Sequence, residues 1–271
     1  MLQRLLGATL VAAALVSGAY AAPTAVAPLS TDESVATAAL GAAIKAALAS
    51  PGRPEADRLQ DPARHPLEVL GFLGARPGLR VIDVFAAGGY YTELLARVVG
   101  AKGRVVAYNN PPYAKFAAQG IAERHAGGRL ANVRNVTAEV DELQLEPQSL
   151  DAALFVMSYH DAYWRPDDGS WDRTKPDVLL GKIHAALVPG AVVVVQDHVA
   201  AAGGDPTETA GRLHRIDPAV VRRDFERAGF VFEAASDVLR NPRDDHDKLV
   251  FDESVRGRTD QFVYRFRKPL P

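Results

Sequence analysis

The sequence predicts an α/β fold: a doubly wound, seven-stranded, mostly parallel sheet with an antiparallel C-terminal strand, preceded by N-terminal helices. Three observations predict it. Between residues 79 and 197, short and almost continuously apolar segments alternate with segments of helical length. That is the pattern of strands buried on both faces and joined by helical crossovers. The last two apolar segments, "VFEAASDVLR" and "DQFVYRFRK", have only a charged loop between them, so they pair as a hairpin or as neighbours and the sheet ends antiparallel. The chain has 271 residues, 48% hydrophobic and 24% charged, which suits one large domain or two small ones.

The elements follow in order. "MLQRLLGATLVAAALVSGAYAAP" carries a basic Arg4, an apolar run to about Val16 and the small-x-small triplet Ala19-Tyr20-Ala21. This is the pattern of a signal peptide over residues 1–21, and its apolar core is shorter than the roughly 20 residues of a bilayer span. The expected location is therefore periplasmic or secreted, with no stable membrane anchor after cleavage. The chain has no cysteine, so the exported protein relies on its core rather than on disulfides.

Residues 22–66 are expected to form a linker and an N-terminal helical segment, and residues 67–271 the main domain. After a Pro/Ala/Ser-rich stretch, Ser30-Thr31-Asp32-Glu33 reads as a helix start and an alanine-rich helix follows. "SPGRPEADRLQDPARHP" is broken by prolines, and "PLEVLGFLGARPG" reads as a short helix closed by Pro77-Gly78. Five strands come next: "LRVIDV", "GRVVAYN", "VRNVTA", "LDAALFVM" and "AVVVVQD". The helices between them are expected at "YYTELLARVVG", "YAKFAAQGIAERHA" and "KPDVLLGKIHAAL". "DPAVVRRDFERAGF" reads as a later helix, with Asp217 as N-cap and Pro218 at its first position.

Several segments together resemble class I S-adenosylmethionine-dependent methyltransferases. "RPGLRVIDV" resembles the approach to that family's first strand, "IHAALVPGAVVVVQD" its helix, Pro-Gly turn and fifth strand, and "RRDFERAGF" its late helix. The resemblance runs from about Leu67 to Lys268. More narrowly, "ARHPLEVLGFLGARPG", "FAAGGYYTE" and "LHRIDPAVVRRDFERAGF" look like an exported branch of that superfamily.

The loop after the first strand, "DVFAAGGYY", decides between cofactors. A dinucleotide requires glycines where backbone meets pyrophosphate and where helix packs on strand. Here those places hold Phe85, Ala87 and Tyr90, whose side chains obstruct both. S-adenosylmethionine has no phosphate, and its carboxylate suits the free N–H groups of a helix N-terminus. Gly88 and Gly89 supply the close approach, which Ala87 narrows. The bland alternative is a tight turn with no ligand. The resemblance implies three further cofactor contacts: Asp83 at the end of the first strand, Asn109 at the ribose hydroxyls, and Glu139 near the adenine amine. Asp83 and Glu139 read equally well as loop caps.

Ligands of doubly wound sheets lie at the carboxyl ends of the strands. "FVMSYHDAYW" and "VVVVQDHVA" end the fourth and fifth strands, so His160, Asp161, Asp197 and His198 are expected to face one crevice and to be the catalytic residues. Three uses stay open. A neutral histidine takes a proton from the methyl acceptor; Asp161 and Asp197 hold a divalent metal, as in catechol-type relatives; or the four residues are structural. His214, in "GRLHRIDP", is a weaker candidate for the same crevice. Tyr159, Trp164 and Trp171 flank an insertion that reads as a substrate lid.

The expected function is S-adenosylmethionine-dependent methyl transfer to a small-molecule O or N acceptor. The alternative is a ligand-binding protein that keeps the fold without catalysis. A net charge of −2 gives no global basic field for nucleic acid. Hydrolysis finds no G-x-S-x-G or H-E-x-x-H signature.

Overall fold

The computed structural model describes the backbone of residues 31–271 and side chains from Ala39 onward. The expected signal peptide and the linker up to Ser30 lie outside the described residues. Ten helices and seven strands follow: α1 (Thr31–Leu48), α2 (Glu55–Arg58), α3 (Asp61–Arg64), α4 (Pro66–Leu73), β1 (Arg80–Val84), α5 (Tyr90–Val99), β2 (Arg104–Asn109), α6 (Pro111–Phe116), α7 (Ala118–His125), β3 (Val133–Thr137), β4 (Leu150–Val156), α8 (Pro176–Ala186), β5 (Leu187–His198), α9 (Pro206–Leu213), α10 (Pro218–Arg227), β6 (Val231–Ser236) and β7 (Gln261–Arg267).

The sheet runs β3-β2-β1-β4-β5-β7-β6. Strands β1 to β5 pair in parallel, and β7 pairs antiparallel with both β5 and β6. The expected seven strands and antiparallel ending are present, with β7 inserted between β5 and β6. Residues along each central strand alternate between two cores. Ile82, Val84, Val193 and Val195 face the side covered by α8 and α10. Val81, Leu154 and Val194 face the side covered by α4 and α5. Central strands buried on both faces are why these segments read as unbroken apolar runs. No described helix is long and apolar enough to cross a membrane.

Three element boundaries differ from expectation, each for a local reason. Helix α4 stops at Gly74, three residues before the Pro77-Gly78 pair, because Gly74 adopts φ 78° and Ala75 N–H bonds back to Leu70 O at 2.9 Å. The single helix expected over 113–126 is two, broken at Ala117 (φ −94°, ψ 5°). Helix α9 had no counterpart in the sequence reading, although Asp205-Pro206 repeats the Asp217-Pro218 start of α10. The Asp205 side chain accepts from Glu208 N–H at 2.9 Å.

Candidate functional site

The carboxyl ends of β1, β4 and β5 lie side by side, and the loops leaving them build two adjoining regions. The first is the loop from β1 to α5. Phe85, Ala87 and Gly89 all have positive φ (54°, 47° and 85°), a conformation that costs an L side chain about 1–2 kcal/mol. The backbone thus takes a glycine-loop shape although two of its three left-handed positions carry side chains. The Asn109 carboxamide holds it there, accepting from Ala87 N–H at 2.9 Å and donating to Ala87 O at 3.3 Å.

Arg124 secures the other side of the loop. Its Nε donates to Gly88 O at 2.6 Å, and its NH1 group reaches Asp57 (2.7 Å) and Glu93 (2.6 Å). All three charged side chains are nearly or wholly buried, so each depends on the others. The two glycines are unlike. A Cβ on Gly89 would lie 2.9 Å from Arg124 Cδ, whereas one on Gly88 would meet nothing within 4 Å.

Above this loop lies a cleft of about 610 Å³, within the usual range of small-molecule sites. Its floor is the loop and the N-terminal turn of α5, and its far wall includes Met157, Gln196, His198 and residues around Phe251. Phe116, 85% exposed, and Phe251, 52% exposed, give it an apolar rim. Gln196 Nε2 donates to Gln261 at 2.7 Å, while its Oε1 is buried with no partner and so is an acceptor available to a ligand. Asp83 lines the cleft and accepts from Thr92 Oγ1 at 2.6 Å; burial pushes its carboxyl up to about 6 against that hydrogen bond.

The second region is the pair of strand ends β4 and β5. Asp197 Oδ1 takes His160 Nδ1 at 2.8 Å and His198 N–H at 2.8 Å, and its Oδ2 takes His160 N–H at 2.9 Å. A carboxylate only accepts, so His160 Nδ1 carries the proton in that contact. Asp161 follows on a short turn. Its Oδ2 accepts from Tyr113 OH at 2.6 Å, and its Oδ1 stands 3.4 Å from His160 Nε2 and 3.6 Å from His214 Nδ1. His214 is directed there by α9, whose C-cap it forms with φ 50°.

The two strand-end histidines have opposite proton affinities. Burial opposes charge on His160, but Asp161 and Asp197 outweigh it and raise the ring to about 9. Burial dominates at His198 and lowers it to about 3, with Asp197 opposing and His160 assisting. His198 Nδ1 meets Thr259 Oγ1 at 2.7 Å.

The expected site residues therefore divide. Asp83, Ala87, Gly88, Gly89 and His198 line the cleft; His160, Asp161 and Asp197 do not. Asn109, expected at the ribose, has its amide committed to Ala87. Glu139 is not among the cleft residues; its Oε2 is buried without a partner, and burial raises its pKa against Arg173. Tyr159 is not part of a lid: it is wholly buried and donates to Asp224 at 3.1 Å. Trp171 packs edge-on against Phe85 and Tyr113. Sequence reasoning missed Tyr113, Arg124, Gln196 and Thr259. The acceptor position of Gln196, one residue before Asp197, was the nearest to a readable signal.

No protein-family model and no curated protein matches the chain. Solved structures do. It is similar to a SAM-dependent methyltransferase from Aquifex aeolicus, with TM-score 0.54 and 20% identity over 78% of this chain and 95% of that one. It is similar to the [4+2]-cyclase SpnF, with TM-score 0.54 and 19% identity over 82% and 86% of the two chains. An arsenic(III) S-adenosylmethionine methyltransferase from Chlamydomonas reinhardtii gives TM-score 0.51 and 18% identity over 84% and 73%. These likenesses establish the fold, that of class I S-adenosylmethionine-dependent methyltransferases.

Proposed function

We propose that the protein is an S-adenosylmethionine-dependent methyltransferase acting on a small-molecule O or N acceptor. The observation that carries the proposal is the cleft over the β1–α5 loop, at the strand ends where this fold places its ligands. The methionine end of the cofactor fits the residues present. Gly88 leaves open space, and the first turn of α5 offers backbone N–H groups to a carboxylate. When bound, the cofactor supplies an electrophilic methyl group on a sulfonium sulfur.

The protein's own residues then orient an acceptor. Gln196 Oε1 accepts a hydrogen bond from its O–H or N–H, and the Phe116 and Phe251 rim covers its apolar part. His198 stays neutral at physiological pH and faces the same space. With so low a proton affinity it positions the acceptor rather than removing its proton, since an effective general base has a pKa near the working pH. The expected signal peptide supports action outside the cytoplasm.

A second reading has a specific observation in its favour. Asn109 is committed to the loop, and the cleft's two acids are already engaged, Asp57 by Arg124 and Asp83 by Thr92. The ribose thus has no free carboxylate, which favours a ligand-binding protein without methyl transfer. Calorimetric titration with S-adenosylmethionine and S-adenosylhomocysteine tests the cofactor on which the first reading depends. Binding of either, weakened 100-fold or more in folded Gly88→Val, is the expected result. Absence of binding at millimolar concentration would sink the methyltransferase reading.

A further inference from the structure

We propose that His160, Asp161 and His214 form a binding site for a divalent transition metal, zinc or an ion of similar chemistry. The donor atoms of these three side chains lie within 4.8 Å of one another. His160 Nε2 and His214 Nδ1 stand 3.4 and 3.6 Å from Asp161 Oδ1. These separations are too long for good hydrogen bonds. They match the edge of a coordination tetrahedron, because two ligands each about 2.0–2.1 Å from zinc stand roughly 3.4 Å apart. The remaining edge closes by rotation of His214, whose side chain is the exposed member at 20%.

The surroundings prepare these atoms for an ion. His160 is 3% exposed, and with Nδ1–H held by Asp197 its Nε2 is the ring atom turned into the cluster, where an incoming ion takes the place of the Nε2 proton. A carboxylate behind a histidine is the usual support of a metal-binding imidazole: it fixes the tautomer and raises the ring's basicity. Tyr113 orients Asp161, donating to Oδ2 and leaving Oδ1 turned towards the two rings. Asp161 and Asp197 together bring two negative charges to an ion of charge two. Two imidazoles and one carboxylate select zinc and its neighbours over magnesium or calcium, which prefer all-oxygen sites. Asp197, expected from sequence to be a ligand if a metal were present, is instead the support, because its oxygens already serve His160 and His198.

This inference does not rest on methyl transfer. The mature protein, stripped with a chelator and dialysed, is titrated with Zn²⁺ by calorimetry and with Co²⁺ by visible absorption, in the absence of S-adenosylmethionine. One ion per chain is expected, with a cobalt spectrum of four-coordinate nitrogen and oxygen ligation. Asp161→Asn and His214→Asn are each expected to weaken zinc binding at least 100-fold. Asparagine tolerates the left-handed backbone at position 214, and circular dichroism checks that both variants fold. Tyr113→Phe is expected to weaken binding by roughly 10-fold, the lower end for a supporting contact. Sub-stoichiometric binding by the wild-type protein overturns the proposal without recourse to any variant. So does unchanged zinc affinity in the folded Asp161→Asn and His214→Asn proteins. A failed cofactor titration would leave this site standing, and a failed zinc titration would leave the cofactor reading standing.

Discussion

Around the β1–α5 loop, Arg124 meets Asp57, Glu93 and Gly88 O, and every buried charge has a partner within hydrogen-bond reach. At the ends of β4 and β5, the same density of titratable groups is arranged otherwise. Asp197 is saturated, while His160 Nε2, Asp161 Oδ1 and His214 approach one another without bonding. The charged side chains of the first region are satisfied among themselves, so a ligand above the loop meets backbone; the second region leaves side-chain donor atoms for a guest. Burial and charge are alike in the two regions, so neither marks a binding site. What marks one is the valence left over after all internal partners are counted.

The comparison breaks first at Arg124. Replacing it with Met leaves Asp57 and Glu93 buried and short of a cation, a loss of about 3–5 kcal/mol, to be read as a lower urea midpoint. A change below about 1 kcal/mol would show that Arg97 and Arg129, which also reach Glu93, carry the network by themselves.

The next effect concerns Asp83, whose folded pKa of about 6 stands above its ordinary 3.8. The folded protein therefore holds the proton more tightly than the unfolded chain. The corresponding stability is present below about pH 4 and is lost as pH rises to about 6, by up to about 3 kcal/mol. Denaturation curves across this range are expected to lose that slope in Asp83→Asn, which keeps an acceptor for Thr92. An identical slope in the variant would assign it to other groups.

The smallest effect sharpens the account of the loop. Ala87 holds φ 47°, so Ala87→Gly is expected to raise stability by about 0.5–1 kcal/mol, relief of strain outweighing the greater freedom of the unfolded chain. A lower melting temperature would instead show that the Ala87 methyl packs against something that matters.

The fold was legible because its central strands are buried on both faces and their apolar runs need no long-range information. The gathering of His160, Asp161, Asp197 and His198 was legible in outline, because it needs only that β4 and β5 be neighbours. Their division between cleft and interior was not, since it depends on which way each ring turns under Asp197 and Thr259. His214 was a weak candidate because α9 went unread, and without α9 nothing aims that ring at Asp161. Arg124 was illegible outright: its partners lie 67 and 31 residues away, and no local pattern reports such a pairing. Asn109 fell in the expected place but serves the loop itself, and an amide suits that role because it both donates and accepts.

The Arg124 contacts have a consequence for the order in which the chain acquires its shape. Asp57 is synthesised 67 residues before the arginine that neutralises it, and the Gly88 carbonyl 36 residues before the donor that fixes it. Helix α5 is a local structure, able to form early, whereas strand β1, which pairs with β2 and β4, and the contacts of Arg124 close longer segments of chain and form against a larger loss of conformational freedom. The segment before β1, which in sequence passes for a mere leader to the domain, is thus a template waiting for α7. A chain interrupted before residue 124 would hold both halves of the loop and neither of its restraints from that side.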